Sequence, residues 1–79
     1  MVELLRMSAV LQRYGLARPT LYRDIRRGVF PRPVKMGRAS AWPRVELEAV
    51  IAARIAGKTD DEVCELVADL ERQRLNAAA

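Results

Sequence analysis

The sequence predicts a mainly α-helical fold that carries a short β-hairpin and ends in an additional amphipathic helix. Apolar residues recur at helical spacing in four segments, and glycines or prolines separate these segments. Two prolines near the middle of the chain exclude a helix there and favour extended backbone. Because the chain has only 79 residues, of which 51% are apolar, we expect one small domain over residues 1–58 and an acidic helix with a frayed tail over residues 59–79.

The composition argues against an enzyme. The chain has no histidine and one cysteine, so Ser–His–Asp systems, Cys/His zinc sites and intrachain disulfides are excluded. There is no glycine-rich phosphate loop of the GxxxxGK[ST] type either. We therefore expect no cofactor and no metal. No apolar run approaches the roughly 20 residues that a membrane helix needs, and the amino terminus lacks a signal peptide's apolar region, which predicts a soluble cytoplasmic protein.

The first two helices are predicted to form a helix-turn-helix. Ser8 is the expected N-cap of the first helix, and Gly15 is its expected end. The apolar face of this helix contains Met7, Val10, Leu11 and Tyr14. The second helix is expected to begin near Arg18, tolerate a proline in its first turn, and end at Gly28. Two helices joined by a tight glycine-containing turn are typical of this motif.

The outer face of the second helix, residues 18–27, has the chemistry of a DNA recognition helix. Leu21 and Ile25 share the inward face, whereas arginines dominate the opposite side. Guanidinium groups bind phosphates and guanine edges, and a threonine methyl contacts thymine. The candidate base-reading residues are Arg18, Thr20, Arg23 and Arg26. The alternative is an ordinary solvent-facing surface.

Residues 33–42 are predicted to form a β-hairpin with basic side chains near its tip. Val34 to Met36 form one strand, and Gly37-Arg38-Ala39 supply the turn. Because an isolated hairpin is unstable, we expect Val34, Met36 and Trp42 to pack on the helices. Trp42 would otherwise stack on a base. A basic hairpin beside a helix-turn-helix is a wing, which lies along the phosphate backbone or enters the minor groove.

The charges are strongly segregated. Residues 1–58 hold 12 basic and 4 acidic side chains, and the remainder holds 2 basic and 6 acidic ones. Between Arg18 and Arg44 there are eight basic residues, seven of them arginines, and one acidic residue, Asp24. Such clustering attracts polyanions. The candidate DNA-backbone residues are Tyr22, Arg27, Arg32, Lys35, Arg38 and Arg44; the tyrosine hydroxyl either binds a phosphate or packs on the protein.

A third helix is expected to begin at Pro43 and end at Gly57-Lys58, and its apolar positions should close the core. These positions are Leu47, Val50, Ile51 and Ile55. Glu46 and Glu48 lie in its first turns, where carboxylates complement the helix dipole, and this structural role is favoured over a catalytic pair.

The fourth helix begins with a capping box, in which Thr59 is followed three residues later by Glu62. Cys64 is expected to be a small buried hydrophobic residue. The apolar stripe of this helix contains Val63, Leu66, Val67 and Leu70. It either folds back onto the domain or pairs with the same stripe of a second copy, which makes these four residues candidates for self-association.

With these elements in place, the chain resembles the AlpA family of small phage and prophage regulatory proteins, within the wider group of MerR-like winged helix-turn-helix proteins that includes excisionases. The matching string runs from Leu4 to Ile55, and its most specific piece is GLARPTLYRDIRRGVFPRPVKMG. The resemblance implies that the segment Arg18–Arg27 enters the major groove and that the loop around Gly37-Arg38 is the wing. Two features depart from the family: Ala17 stands where a Ser or Thr cap is usual, and residues 59–76 extend beyond the usual core.

The resemblance implies a sequence-specific regulator of prophage transcription with double-stranded DNA as its partner, in a bacterial nucleoid. Homodimers or cooperative arrays on DNA, an integrase and RNA polymerase are the further partners it suggests. One alternative is an excisionase, a recombination directionality factor that bends attachment-site DNA. A second is a protein-interaction adaptor that binds through helix 59–75.

Overall fold

The computed structural model describes the backbone of residues 3–78 and the side chains of residues 3–75. Over this range the chain forms four helices and three short strands. In chain order these are β1 (Leu4–Arg6), α1 (Met7–Tyr14), α2 (Arg18–Arg27), β2 (Val34–Met36), β3 (Ala39–Pro43), α3 (Arg44–Ile55) and α4 (Asp60–Ala78). The predicted mainly α class with a hairpin and a C-terminal helix is confirmed.

Helices α1 and α2 form the predicted pair, and each ends at a glycine. Gly15 and Gly28 both have positive φ, a conformation that favours glycine. Their backbone N–H groups donate hydrogen bonds to backbone carbonyls in the last turns of α1 and α2. The prediction that Ser8 caps α1 is wrong. Arg6 is the N-cap, without a side-chain capping bond, because the chain enters α1 directly from a strand. Ala17 likewise gives α2 no side-chain cap, as its missing hydroxyl predicts.

The sheet contains one more strand than the predicted hairpin. β2 and β3 pair in antiparallel fashion, with Met36 opposite Ala39 and Gly37-Arg38 as the two-residue connection. On its other side β3 pairs with β1, in the order β1-β3-β2. β3 is therefore the central strand, and the hairpin is attached to the start of α1 as well as to the helices.

The main core is built around Trp42, which is fully buried. Its ring meets Phe30 edge-on at a centroid distance of 6.1 Å, and its indole N–H donates to the carbonyl of Pro31 at 2.7 Å. Val10, Leu21 and Leu47 are buried in the same cluster. The assignment of Trp42 to the core rather than to base stacking is confirmed. Met36, in contrast, is 51% exposed, so the prediction that it packs on the helices is wrong.

Helix α3 closes the core with only part of its predicted face. Leu47 and Val50 are buried and Ile51 is half-buried. Ile55 is 82% exposed, so the prediction that it closes the core is wrong; it lies in the last turn, beyond the packed part of the helix. Pro43 is the N-cap of α3 rather than its first helical residue.

Helix α4 folds back onto the domain. Its start is the predicted capping box: the Thr59 N–H donates to the Glu62 carboxylate at 2.8 Å, and the Glu62 N–H donates to the Thr59 hydroxyl at 3.2 Å. Val63 and Val67 are buried in a second cluster with Val29 and Val50. Leu66, Leu70 and Cys64 are partly buried beside this cluster, so Cys64 is less enclosed than expected.

The docked position of α4 is one of the two predicted alternatives. It takes Val63 and Val67 out of reach of a second copy and leaves Leu66 and Leu70 partly accessible. Self-association through the helix stays a prediction. The sequence predicts that the helix ends at residue 75 and that residues 76–79 fray. The helix instead continues to Ala78, so this prediction is wrong for residues 76–78, and Ala79 falls outside the described residues.

No helix in residues 3–78 combines the length and apolar character required to cross a bilayer.

Candidate nucleic-acid interface

The outer face of α2 is an exposed, arginine-rich surface. Leu21 is buried and Ile25 is partly buried beneath it, which orients the helix so that the arginines point outward. Arg18, Arg23 and Arg26 are all exposed. Of the other candidates on this helix, Thr20 is half-buried and Tyr22 is 46% exposed. The predicted base-reading residues thus share one helix and its accessible side.

The acidic residue of this helix, Asp24, neutralises little of this surface. The Nε atom of Arg23 lies 3.9 Å from an Asp24 carboxylate oxygen, which is too long for a hydrogen bond, and the Arg23 side chain is 60% exposed. Within the described part of the chain, no carboxylate lies within 4.0 Å of Arg18 or Arg26. These guanidinium groups therefore keep most of their hydrogen-bonding capacity for an external anion.

The hairpin places two further cations near its turn. Arg38 is exposed in the two-residue connection. Lys35 is exposed on β2, and its ammonium group donates to the Ser40 hydroxyl across the hairpin at 3.3 Å. The β2–β3 hairpin thus carries its positive charge at the tip, as the sequence predicts for a wing.

Three of the candidate backbone residues are already paired with carboxylates. Arg27 donates to Asp60 at 2.7 Å, and Arg32 donates to Glu71 at 3.0 Å. Arg44 pairs with Glu3 and, at 2.7 Å, with Glu48. Because Asp60 and Glu71 belong to α4, the acidic C-terminal helix neutralises part of the basic surface beside α2. The opposite charges of residues 18–44 and 59–79 were the sequence signal for this pairing.

A polar cluster that the sequence reading missed fixes α4 against the start of the hairpin. The Arg74 guanidinium donates to the carboxylate of Glu46 at 2.5 and 2.9 Å and to the Arg32 carbonyl at 2.8 Å. Glu46 is only 6% exposed. The hydrogen bonds with Glu46 raise the pKa of Arg74 above its ordinary value despite partial burial, so the guanidinium stays charged. Glu46 thus has a structural role, as predicted, but as the partner of a distant arginine.

Glu71 belongs to the same cluster and is held as a carboxylate. Burial raises its pKa, but hydrogen bonds from the Arg32 backbone N–H, at 2.8 Å, and from the Arg32 guanidinium outweigh burial. The net result is a pKa below the ordinary value. The pKa of Glu62 is also lowered, mainly by the hydrogen bonds of its capping box. Among the side chains of residues 3–75, no group of three or more His, Cys, Asp or Glu is placed to hold a metal ion.

A shallow cleft separates the start of α1, the start of α2 and strand β3. It is lined by Arg6, Met7, Ser8, Arg18, Ala39 and Ser40. The sequence analysis gave no binding role to Arg6, Ser8 or Ser40 and treated Ser8 only as a helix cap, because the cleft includes the end of strand β1, which the sequence did not predict. Arg18 joins this cleft to the outer face of α2.

Comparison with known proteins finds a matching family for most of the chain. A family described as "Prophage CP4-57 regulatory protein (AlpA)" matches residues 3–55, which is most of the chain. The chain belongs to the AlpA family. The match covers β1 to α3, including the helix pair and the hairpin, and ends before α4.

One relative of this AlpA-family chain is an uncharacterised protein, ORF88, of Enterobacteria phage P4. The two are 44% identical over 55 residues, a region that covers 68% of this chain and 62% of the relative. The chain thus spans less than two thirds of the phage protein's length. No solved structure matches the chain. The family is one of phage regulatory proteins, as the sequence analysis anticipated, and the match says nothing of helix α4.

Proposed function

We propose that this AlpA-family protein is a sequence-specific double-stranded DNA-binding regulator. Helix α2 lies in the major groove, and the β2–β3 hairpin acts as the wing. The observation that carries the proposal is the exposed outer face of α2, where no carboxylate of the described residues lies within hydrogen-bond distance of Arg18, Arg23 or Arg26. Arginines presented on one face of the second helix of a helix-turn-helix match the way such motifs read base edges.

The two sets of basic residues have different tasks in this proposal. Arg23 and Arg26, with Thr20, read base edges. Exposed Lys35 and Arg38 on the hairpin neutralise phosphates. Arg27, Arg32 and Arg44 bind phosphates only by exchanging their carboxylate partners, so they contribute less to affinity than their charges alone suggest.

Selection of bound fragments from random or genomic DNA, followed by a salt titration on the selected duplex, tests the proposal. If about six phosphates are neutralised, affinity falls roughly a thousandfold between 50 and 200 mM salt. A common motif among the selected fragments together with this steep salt dependence supports the proposal. A flat salt response, or fragments without a common sequence, contradicts it.

The family description favours regulation as the role of DNA binding over excision. An excisionase uses the same surface but must bend its DNA site. The two roles are separated by a gel-mobility assay in which the site lies at different positions along a DNA fragment: a mobility that depends on this position shows bending and favours an excisionase. The adaptor alternative requires the apolar stripe of α4, and the burial of Val63 and Val67 in the second cluster argues against it.

A further inference from the structure

The cleft between α1, α2 and β3 is lined by basic and neutral polar side chains. Two of its six lining residues, Arg6 and Arg18, are exposed arginines, and none is acidic. In the described residues no carboxylate lies within 4.0 Å of either guanidinium. Several arginines beside α4 are paired with carboxylates, as in Arg27 with Asp60 and Arg32 with Glu71. The two guanidinium groups of the cleft therefore keep their positive charge available for an external anion.

Neutral hydrogen-bond donors accompany these cations. Ser8 and Ser40 both line the cleft, so two hydroxyl groups are available beside the guanidinium groups. The Ser40 hydroxyl also accepts a hydrogen bond from Lys35 at 3.3 Å, which leaves its own O–H free to donate. Forked guanidinium donors together with hydroxyl groups match the several acceptor oxygens of a phosphate group.

The position of the cleft indicates which phosphate it takes. It opens beside the first residue of α2 on one side and strand β3 of the hairpin on the other. A duplex that receives α2 in its major groove and the hairpin along its backbone passes a sugar-phosphate strand between these two elements.

We propose that this cleft is a phosphate-binding site for the DNA backbone, formed by Arg6, Arg18, Ser8 and Ser40. The proposal rests on the DNA-binding function above and adds a contact to it. It assigns a role to Arg6, Ser8 and Ser40 and moves Arg18 from base reading to phosphate binding. The site holds the sugar-phosphate strand next to the start of α2 and adds to affinity without reading a base.

The test compares Arg6→Gln with Arg13→Gln on the selected duplex. Arg13 is the matched control, since it is an exposed arginine on α1 outside the cleft, and both variants lose one positive charge. We expect Arg6→Gln to weaken binding about tenfold, the usual size of a charge-assisted hydrogen bond. It should reduce the salt slope by about 1 and leave the ratio of specific to nonspecific binding unchanged. Arg13→Gln should change affinity less than about twofold.

A second measurement locates the phosphate. Duplexes with a single uncharged methylphosphonate are scanned one position at a time against the parent, Arg6→Gln and Arg13→Gln proteins. We expect one position at which the substitution weakens the parent and Arg13→Gln but no longer weakens Arg6→Gln. Equal effects of Arg6→Gln and Arg13→Gln, or no position that depends on Arg6, overturn the site.

The outcome is separable from that of the proposed function. If Arg23→Ala weakens binding and Arg6→Gln does not, helix α2 binds DNA and the cleft proposal is wrong. If the parent protein binds no duplex, both proposals fall.

Discussion

Removing one partner of the Glu46–Arg74 pair is expected to destabilise the protein strongly, and Glu46→Gln measures this cost. The substitution keeps the shape of the side chain but replaces one acceptor oxygen with an NH2 group that faces the Arg74 donors. One charge-assisted hydrogen bond is lost, at a cost of about 2 kcal/mol, and the other becomes a weaker bond to a neutral amide, at a cost of about 1 kcal/mol. The free energy of unfolding should therefore fall by about 3 kcal/mol.

This loss is large for a chain of 79 residues, whose total stability is expected to be about 4–12 kcal/mol. It corresponds to a decrease in Tm of about 12–24 °C. Glu48→Gln is the control, because it makes the same charge change on the same helix. Its carboxylate is 52% exposed and pairs with Arg44 one turn away, so its removal should cost about 0.5 kcal/mol or less.

Urea and thermal unfolding, followed by circular dichroism, measure both variants. The double variant Glu46→Gln/Arg74→Gln should cost less than the sum of the two single variants, because each single change leaves the other group without its partner. Equal stabilities of Glu46→Gln and Glu48→Gln would refute the view that this cluster holds α4 on the domain.

Three further predictions concern helix α4. Acid should destabilise the protein through Glu71, because the pKa of this carboxylate is lower in the folded state than in the unfolded state. Glu71 contributes its full stabilisation above the unfolded pKa of about 4.3. This stabilisation is lost as the pH falls through the lower pKa of the folded state. Melts between about pH 2 and 6 should therefore show a smaller acid dependence for Glu71→Gln than for the parent. Val63→Ala should cost about 2 kcal/mol in urea unfolding because Val63 is fully buried, whereas Val45→Ala, at a position 61% exposed, should change little. If α4 mediates self-association, Leu66→Asp should lower the sedimentation mass at high protein concentration, and an unchanged mass ends that idea.

The parts of the fold that the sequence predicted depend on local signals. Helix α2 has a proline near its start and a glycine at its end, and both bounds were predicted. The capping box of α4 consists of two residues three apart, and both of its hydrogen bonds form. Such features depend only on residues close together in the sequence, so they can be predicted from one sequence.

The parts that were missed depend on distant partners. Strand β1 has three residues and exists because β3 pairs with it, about 37 residues further along the chain. Helical periodicity placed Ile55 in the core, but it lies in the last turn of α3 and is 82% exposed. The ion pair of Arg32 with Glu71 spans 39 residues, and periodicity contains no information about it. The roles of Arg23 and Arg26 stay predictions, since their exposure is compatible with DNA binding but does not require it.

The central claim is that the arginine face of α2 reads a DNA duplex, and one binding measurement tests it most directly. The Kd of Arg23→Ala/Arg26→Ala on the selected duplex is compared with that of Arg72→Ala, which removes a 69%-exposed arginine of α4. At about 1–3 kcal/mol for each base-reading arginine, the double variant should bind at least about thirtyfold more weakly and lose preference at the bases it reads, while Arg72→Ala binds like the parent. Equal affinities of the double variant and the parent would contradict the account.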